Sequence, residues 1–341
     1  MTFDRLVMVL GAPRSGTSWL GKIFDSHPDV LYRHEPDLAL WERRLPFLIP
    51  EGEVTNYKAI AADYVTRLIT TPTLKSAGQF PTFPKSYYSP GKRALHTGLI
   101  RSLRWLEGAT RSRRMRAYPV PDLIDVMRDP RIRIVLKSVS ARGRARVFLE
   151  ALPGMTAVLL LRHPCGQVAS TLRGLRQGKF DTGVFVKDVL STPGADTYGL
   201  TEKRLNAASQ VEQLTWHWAT MNELAAGAMH NRANACIACY EDICRDPIGR
   251  ARELLAFAGL NWDPQTEAFI AQSTTYAGPE KYYSVFRNAV ASAERWRTEL
   301  PETDQRAIID IVAQTSLGRF WSDTSGAAMP RLQPEPQTAS S

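Results

Sequence analysis

Near its start the chain passes from a short uncharged run, Leu6–Leu10, through Gly11-Ala-Pro-Arg-Ser-Gly-Thr-Ser18 into a helical pattern over Thr17–Ser26. A run of this kind that ends in a glycine-rich turn and resumes at helical spacing reads as a buried strand handing over to a helix. The turn aims backbone N–H groups and a helix N-terminus at one point, and that point favours an anion. This restricts the chain to α/β architectures in which a parallel sheet offers its strand ends to a ligand.

The rest of the sequence is consistent with such a sheet. The first strand is expected over Arg5–Leu10. Further runs rich in Val, Ile and Leu, at Val30–Tyr32, Arg133–Leu136, Ala157–Leu161 and Ala235–Tyr240, read as its buried neighbours. Helices are expected over Thr17–Ser26, Arg142–Leu152, Gly166–Arg176, Lys203–His230, Ile248–Ala258 and Glu302–Gln314. The stretch 37–129 is too long for one crossover, and its Pro-rich middle, Thr71–Pro90, predicts a largely helical insertion that shapes an acceptor cleft. The organisation expected is one domain over 1–322 followed by a disordered tail, 323–341.

Composition narrows the classes. At 44% hydrophobic and 23% charged residues the chain is neither disordered nor fibrous. No stretch approaches the roughly 18 apolar residues of a membrane span, and Leu6–Leu10 is too short for a signal peptide, so a cytoplasmic location is expected. Cys165, Cys236, Cys239 and Cys244 are expected as reduced thiols, because the lone C-x-x-C lacks the second ligand pair of a zinc site; no metal is expected. The net charge of +9 points to an anionic partner: nucleotide, nucleic acid, membrane or acidic saccharide. Lys92–Arg116 concentrates it, with eight Lys/Arg against Glu107 alone, as a solvated helix face or as a docking patch for an anionic acceptor or lipid head groups.

Ligands of an open parallel sheet bind beyond the carboxyl ends of its strands. Here the first strand runs into the loop carrying Arg14, the second into Arg33-His34-Glu35-Pro36, the third into Lys137 and the fourth into Arg162. Arg14, Lys137 and Arg162 are therefore expected to converge on a ligand with several negative groups. The loop is nearly an NTP-binding P-loop, but Thr17 stands where that motif places its lysine, which disfavours a nucleoside triphosphatase or kinase. Net charge and the Arg-rich stretch alone suggest a nucleic-acid-binding protein, and no motif supports it.

These residues carry a resemblance. Pro13-Arg14-Ser15-Gly16-Thr17-Ser18-Trp19 resembles the 5′-phosphosulfate loop of the PAPS-dependent sulfotransferases, and Arg162 with Ser170 eight residues on resembles their 3′-phosphate motif. Tyr240-Glu241-Asp242, Asp246-Pro247, Gln272 through Tyr276 and Arg295-Trp296-Arg297 extend the likeness, which covers roughly 5–40 and 130–320 and leaves the insertion unmatched. PAPS carries a sulfonated 5′-phosphate and a separate 3′-phosphate, so its site needs two anion pockets flanking a ribose. The resemblance implies that Arg14, Ser15, Gly16, Thr17 and Ser18 hold the 5′ end. It also implies that Arg162 and Ser170 hold the 3′-phosphate, and that Trp19, Tyr240, Thr274 and Tyr276 enclose the adenine. Lys281, Ser284 and Arg287 match, loosely, a basic loop that closes over the nucleotide. Arg142, Arg144 and Arg146 read equally as an exposed helix face and receive no role.

Transfer of a sulfonate then requires neutralising the leaving phosphate, the task the resemblance gives Arg14 and Lys137, and deprotonating an acceptor hydroxyl. Small-molecule sulfotransferases place a His two residues after the strand-three lysine, where this chain has Val139. Carbohydrate and tyrosylprotein sulfotransferases use a Glu shortly after the 5′ loop, so Glu35 is the expected base, with His34 as the alternative. The expected reaction converts PAPS and a hydroxyl, on a saccharide or glycolipid, into a sulfate ester and PAP. The oligomeric state is left open.

Overall fold

In the computed structural model, which describes residues 3–178, 185–275 and 288–321, five strands pair in parallel. They are β1 (Leu6–Gly11), β2 (Val30–His34), β3 (Arg133–Ser138), β4 (Thr156–Leu161) and β5 (Ala235–Cys239), in the order β2-β3-β1-β4-β5. Every residue of β1 is buried, because helices cover both faces. Leu6, Met8 and Leu10 enter one core beneath the helices Val54–Thr70, Ala145–Ala151, Pro164–Arg176 and Gln210–Met229. Val7 and Val9 enter a second core with Leu20, Ile23 and Phe24 of Thr17–Ser26 and with Phe269 of Pro264–Thr274. Full burial of each such side chain stabilises by about 1.5–3 kcal/mol, which explains why β1 and β4 run nearly continuously apolar rather than alternating.

The register brings the functional strand ends level. Val9 lies opposite Lys137, His34 opposite the same Lys137, and Gly11 opposite Leu160, one residue before the end of β4. Loop 11–18, Glu35, Lys137 and Arg162 thus leave the sheet along one edge.

Two expectations from the sequence need correction. Lys203–His230 is not one helix but two, Glu202–Ala207 and Gln210–Met229. Ser209 starts the second with a capping box: its hydroxyl accepts from the Glu212 N–H at 3.2 Å while the Glu212 carboxylate accepts from the Ser209 N–H at 2.7 Å. The helix expected over Arg142–Leu152 begins only at Ala145, and Arg142 and Arg144, for which the sequence leaves an exposed helix face as one open reading, precede it. They occupy a buried 3-10 turn, where Arg142 donates to Asn222 Oδ1 at 3.0 Å and Arg144 donates to the carbonyls of Pro46 and Leu45.

The segment between β2 and β3 carries the helices Val54–Thr70, Leu74–Ala77 and Pro90–Thr110. Buried cations tie it to the sheet: Arg144 as above, and Arg33, which donates to the Ile69 carbonyl and pairs with Asp122. Among the described residues no helix is long and apolar enough to cross a membrane. The expected tail, 323–341, lies outside the described residues.

Candidate active site

The turn after β1 owes its shape to backbone conformations that few side chains tolerate. Gly16 has φ 98° and Arg14 φ 72°. A Cβ at Gly16 would stand 2.3 Å from the Tyr240 ring, so glycine there permits both the left-handed turn and the close approach of an aromatic wall. The helix Thr17–Ser26 starts directly behind, with no side-chain cap on its first turn. Ser15 spends its hydroxyl inside the loop on the Ala12 carbonyl, 2.7 Å away, whereas Thr17 and Ser18 line the cleft.

That cleft has a volume of about 850 Å³ and runs from the loop to the insertion. At its β4 end the buried Arg162 donates through Nη1 to the Arg14 carbonyl at 3.0 Å and through Nη2 to the Ser292 carbonyl at 2.8 Å. The guanidinium lies against the Tyr240 ring, 4.8 Å from its centroid. Its Nε is buried without a hydrogen bond, 4.0 Å from Glu241 Oε1. Arg14 turns the other way and donates from Nε to Ser170 Oγ at 3.1 Å. The two strand-end arginines therefore meet across the loop, within the span of one nucleotide. Trp19 packs edge-on to Tyr240, with ring centroids 6.2 Å apart, and donates from its indole N–H to Ser273 Oγ at 3.0 Å.

At the other end stands a charged triad. Lys137 Nζ is 2.5 Å from Glu35 Oε1 and 3.4 Å from Ser18 Oγ, and Lys75 Nζ is 2.7 Å from Glu35 Oε2. Burial pushes the Glu35 carboxyl up, but Lys137 and Lys75 outweigh it and hold the group well below the usual carboxylate range. Burial draws Lys137 down against the opposing pull of Glu35. His34 is also pushed well below its ordinary value, first by burial and then by Lys137, and stays neutral, with Nδ1 2.9 Å from the Tyr32 hydroxyl. Asp37, just beyond, accepts from Ser138 and Ser140 and secures the end of β3.

The sequence-expected residues thus divide. Arg14, Gly16, Thr17, Ser18, Trp19, Glu35, Lys137, Arg162 and Tyr240 line one cleft, with Ser170 behind Arg14. Thr274 does not line it: its hydroxyl bonds the Ile270 carbonyl of its own helix, and Ser273 faces the cleft instead. Tyr276, Lys281, Ser284 and Arg287 lie outside the described residues. Trp296 stacks on His163 at 4.4 Å and packs behind the site. Lys75 was missed, as were Arg104, Arg113 and Arg116, which line the cleft from the insertion. Only the eight-cation stretch hinted at the last three, and no local signal marks Lys75.

Comparison with known proteins follows the same outline. Carbohydrate sulfotransferase 5 of Mus musculus is 23% identical over 329 residues, which cover 89% of this chain and 78% of that protein. Carbohydrate sulfotransferase 6 of Homo sapiens is 23% identical over 346 residues, covering 90% and 78%. The solved sulfotransferase domain from the Synechococcus PCC 7002 olefin synthase aligns with a TM-score of 0.45 at 15% identity, over 90% of this chain and 92% of that one. The sequence profile of the Sulfotransferase family matches residues 7–264, a span that includes the insertion between β2 and β3. With its anion-cradling turn and the three strand-end cations inside that span, the chain belongs to the sulfotransferase family and is a PAPS-dependent enzyme.

Proposed function

We propose that the acceptor is a saccharide hydroxyl, free or borne on a lipid, that Glu35 is the base, and that Arg14 and Lys137 neutralise the leaving group. The observation that supports this best is the position of Lys137, whose one ammonium lies between the Glu35 carboxylate and Ser18 of the anion loop. The names of the two relatives reported above, both carbohydrate sulfotransferases, support the saccharide.

Sulfonate transfer shares the geometry of phosphoryl transfer, an in-line displacement with a loose transition state. The acceptor oxygen bonds to sulfur as the bond from sulfur to the 5′-phosphate oxygen breaks, and the hydroxyl proton passes to Glu35. Arg162, with Ser170 close by, suits the 3′-phosphate, because its Nε is a buried donor without a hydrogen bond. Held by two lysines, Glu35 is ionised but weakly basic. As charge builds on the leaving phosphate, Lys137 is drawn toward it and its hold on Oε1 loosens, so neutralising the leaving group strengthens the base in the same movement.

The test is incubation with labelled PAPS and separate pools of neutral oligosaccharides, uronic-acid oligosaccharides, glycolipids, simple phenols and a tyrosine peptide, read by mass spectrometry for an added SO₃. Transfer to a saccharide pool is expected; transfer confined to phenol or tyrosine overturns the assignment. PAP should raise the melting temperature, since a ligand that binds only the native state stabilises it by RT ln(1 + [L]/Kd).

A further inference from the structure

The helix Pro90–Thr110 presents two unlike faces. Its inner face buries Ile100 and Leu103 in a small core with Leu74 and Val120, and half-buries Arg104 and Glu107 beside them. The outer face of a surface helix is ordinarily polar. Here it holds Leu95, Trp105 and Leu106 at 64%, 75% and 40% exposure. Leu95 and Leu106 are eleven residues apart, about three turns, and so fall in line, with Trp105 beside them and only Gly98 and Ser102 between.

Exposed cations lie on the same segment: Lys92, Arg101, Arg111 and Arg114, and among the described residues none of the four has a carboxylate partner. Glu107, the acid of the stretch, is already held by Arg104 at 2.6 Å and Arg116 at 3.1 Å. An apolar stripe carrying Trp and Leu beside a dense, uncompensated positive field matches a helix that lies in the head-group region of a bilayer. The charge also decides against the other occupants. A second copy of the chain would bring the same cations face to face, and a nucleic acid backbone would leave the leucines uncovered.

We propose that this helix seats the enzyme on an anionic lipid surface, with Leu95, Trp105 and Leu106 entering the head-group region and these exposed cations meeting lipid phosphates. The same segment supplies Arg104, Arg113 and Arg116 to the cleft, where Leu38 and Phe80 are 53% and 48% exposed. Docking here therefore holds the cleft close to the membrane and favours a saccharide carried on a lipid. That last consequence rests on the acceptor reading above; the docking itself does not.

The experiment is sedimentation of the full chain with vesicles of phosphatidylcholine alone and of phosphatidylcholine mixed with phosphatidylglycerol. Partition onto the anionic vesicles only, weakening with added salt, is expected. The triple variant Leu95→Ser, Trp105→Ser, Leu106→Ser should lower it roughly tenfold or more, and Arg101→Glu with Arg114→Glu should do the same. Both variants should keep the wild-type melting temperature and its rise with PAP, which shows that fold and donor site are intact. Absence of vesicle binding, equal binding to neutral vesicles, or wild-type partition by the triple variant overturns the proposal. So does a dimer in analytical ultracentrifugation that the triple variant dissociates without any vesicle binding, which would assign the face to a second copy. All of these are read without sulfonate transfer, so a wrong acceptor assignment leaves the result standing.

Discussion

The two walls of the cleft are built by different means. On the sheet side, Lys137 is the penultimate residue of β3 while Arg14 and Arg162 follow β1 and β4, and the parallel register brings these strand ends level. Backbone pairing and core burial set where these side chains leave the sheet, and bonds such as Arg162 to the Arg14 carbonyl and Arg14 to Ser170 then orient them. On the insertion side, Lys75, Arg104, Arg113 and Arg116 come from a segment with no strand of its own among the described residues. They are placed by individual ties: the bridge between Thr73 and Pro119, the Leu74 N–H to the Tyr118 carbonyl at 2.8 Å, and Arg104 to the carbonyls of Gly78 and Leu74. A wall fixed by register suits a constant cosubstrate, and a wall fixed by separate side-chain bonds can change with the acceptor while the sheet stays as it is.

Glu35 stands between the walls, bonded to one lysine from each, and its removal is the largest expected effect. Glu35→Gln should lower kcat by about 10²–10⁴, the usual worth of a positioned base, with PAP affinity within about threefold of wild type. Near-normal turnover would return the role of base to His34. The second effect belongs wholly to the sheet wall. Arg162→Ala removes a charge and two hydrogen bonds, one to the Arg14 carbonyl of the loop and one to the Ser292 carbonyl. With charge-assisted bonds contributing about 1.5–3 kcal/mol each, PAP affinity by calorimetry should fall roughly a hundredfold. A loss under tenfold would mean that the 3′-phosphate is held elsewhere.

Lys75→Met tests the insertion wall by itself. Two lysines hold the Glu35 carboxyl below its ordinary range, so the stability this group contributes is present above the unfolded carboxylate value near 4.3 and is lost as the pH falls through the lower native one. Removing Lys75 lets the native value rise, and the acid limb of kcat/KM should move upward with it. PAP affinity should stay close to wild type, because Lys75 is not among the strand-end cations. An unmoved acid limb would leave Lys137 alone in control of the base.

The same contrast explains what the sequence disclosed. The five strands and the helix Thr17–Ser26 follow from local apolar runs and a glycine turn, and the structure shifts their ends by a residue or two at most. Loop cations are readable because the motif that forms the turn also carries them. Lys75 is not readable, since its partner lies 40 residues away and nothing near it signals charge pairing. Arg142 and Arg144 were ambiguous because an arginine every second residue fits a solvated turn as well as a buried one. The break before Ser209 was legible as S-x-x-E, yet it sits inside a continuous helical pattern that conceals it.

The smallest effect separates two neighbours of which the sequence reading selects the one that does not line the cleft. Ser273 and Thr274 are successive helical residues, about 100° apart around the axis, so only one can face the cleft. Ser273 accepts the Trp19 indole N–H at 3.0 Å, and Thr274 bonds back to its own helix at 2.8 Å. Ser273→Ala leaves that buried N–H unmatched, at a cost of about 1–3 kcal/mol, and should lower both the melting temperature and PAP affinity by loosening the aromatic wall. Thr274→Ala removes only a hydroxyl bonded within its own turn and adds helix propensity, so stability should change by under about 0.5 kcal/mol and PAP affinity should not change. If Thr274→Ala proved the more damaging of the two for PAP, the helix would have to rotate on binding the nucleotide, and the sheet wall would be less rigid than its register makes it.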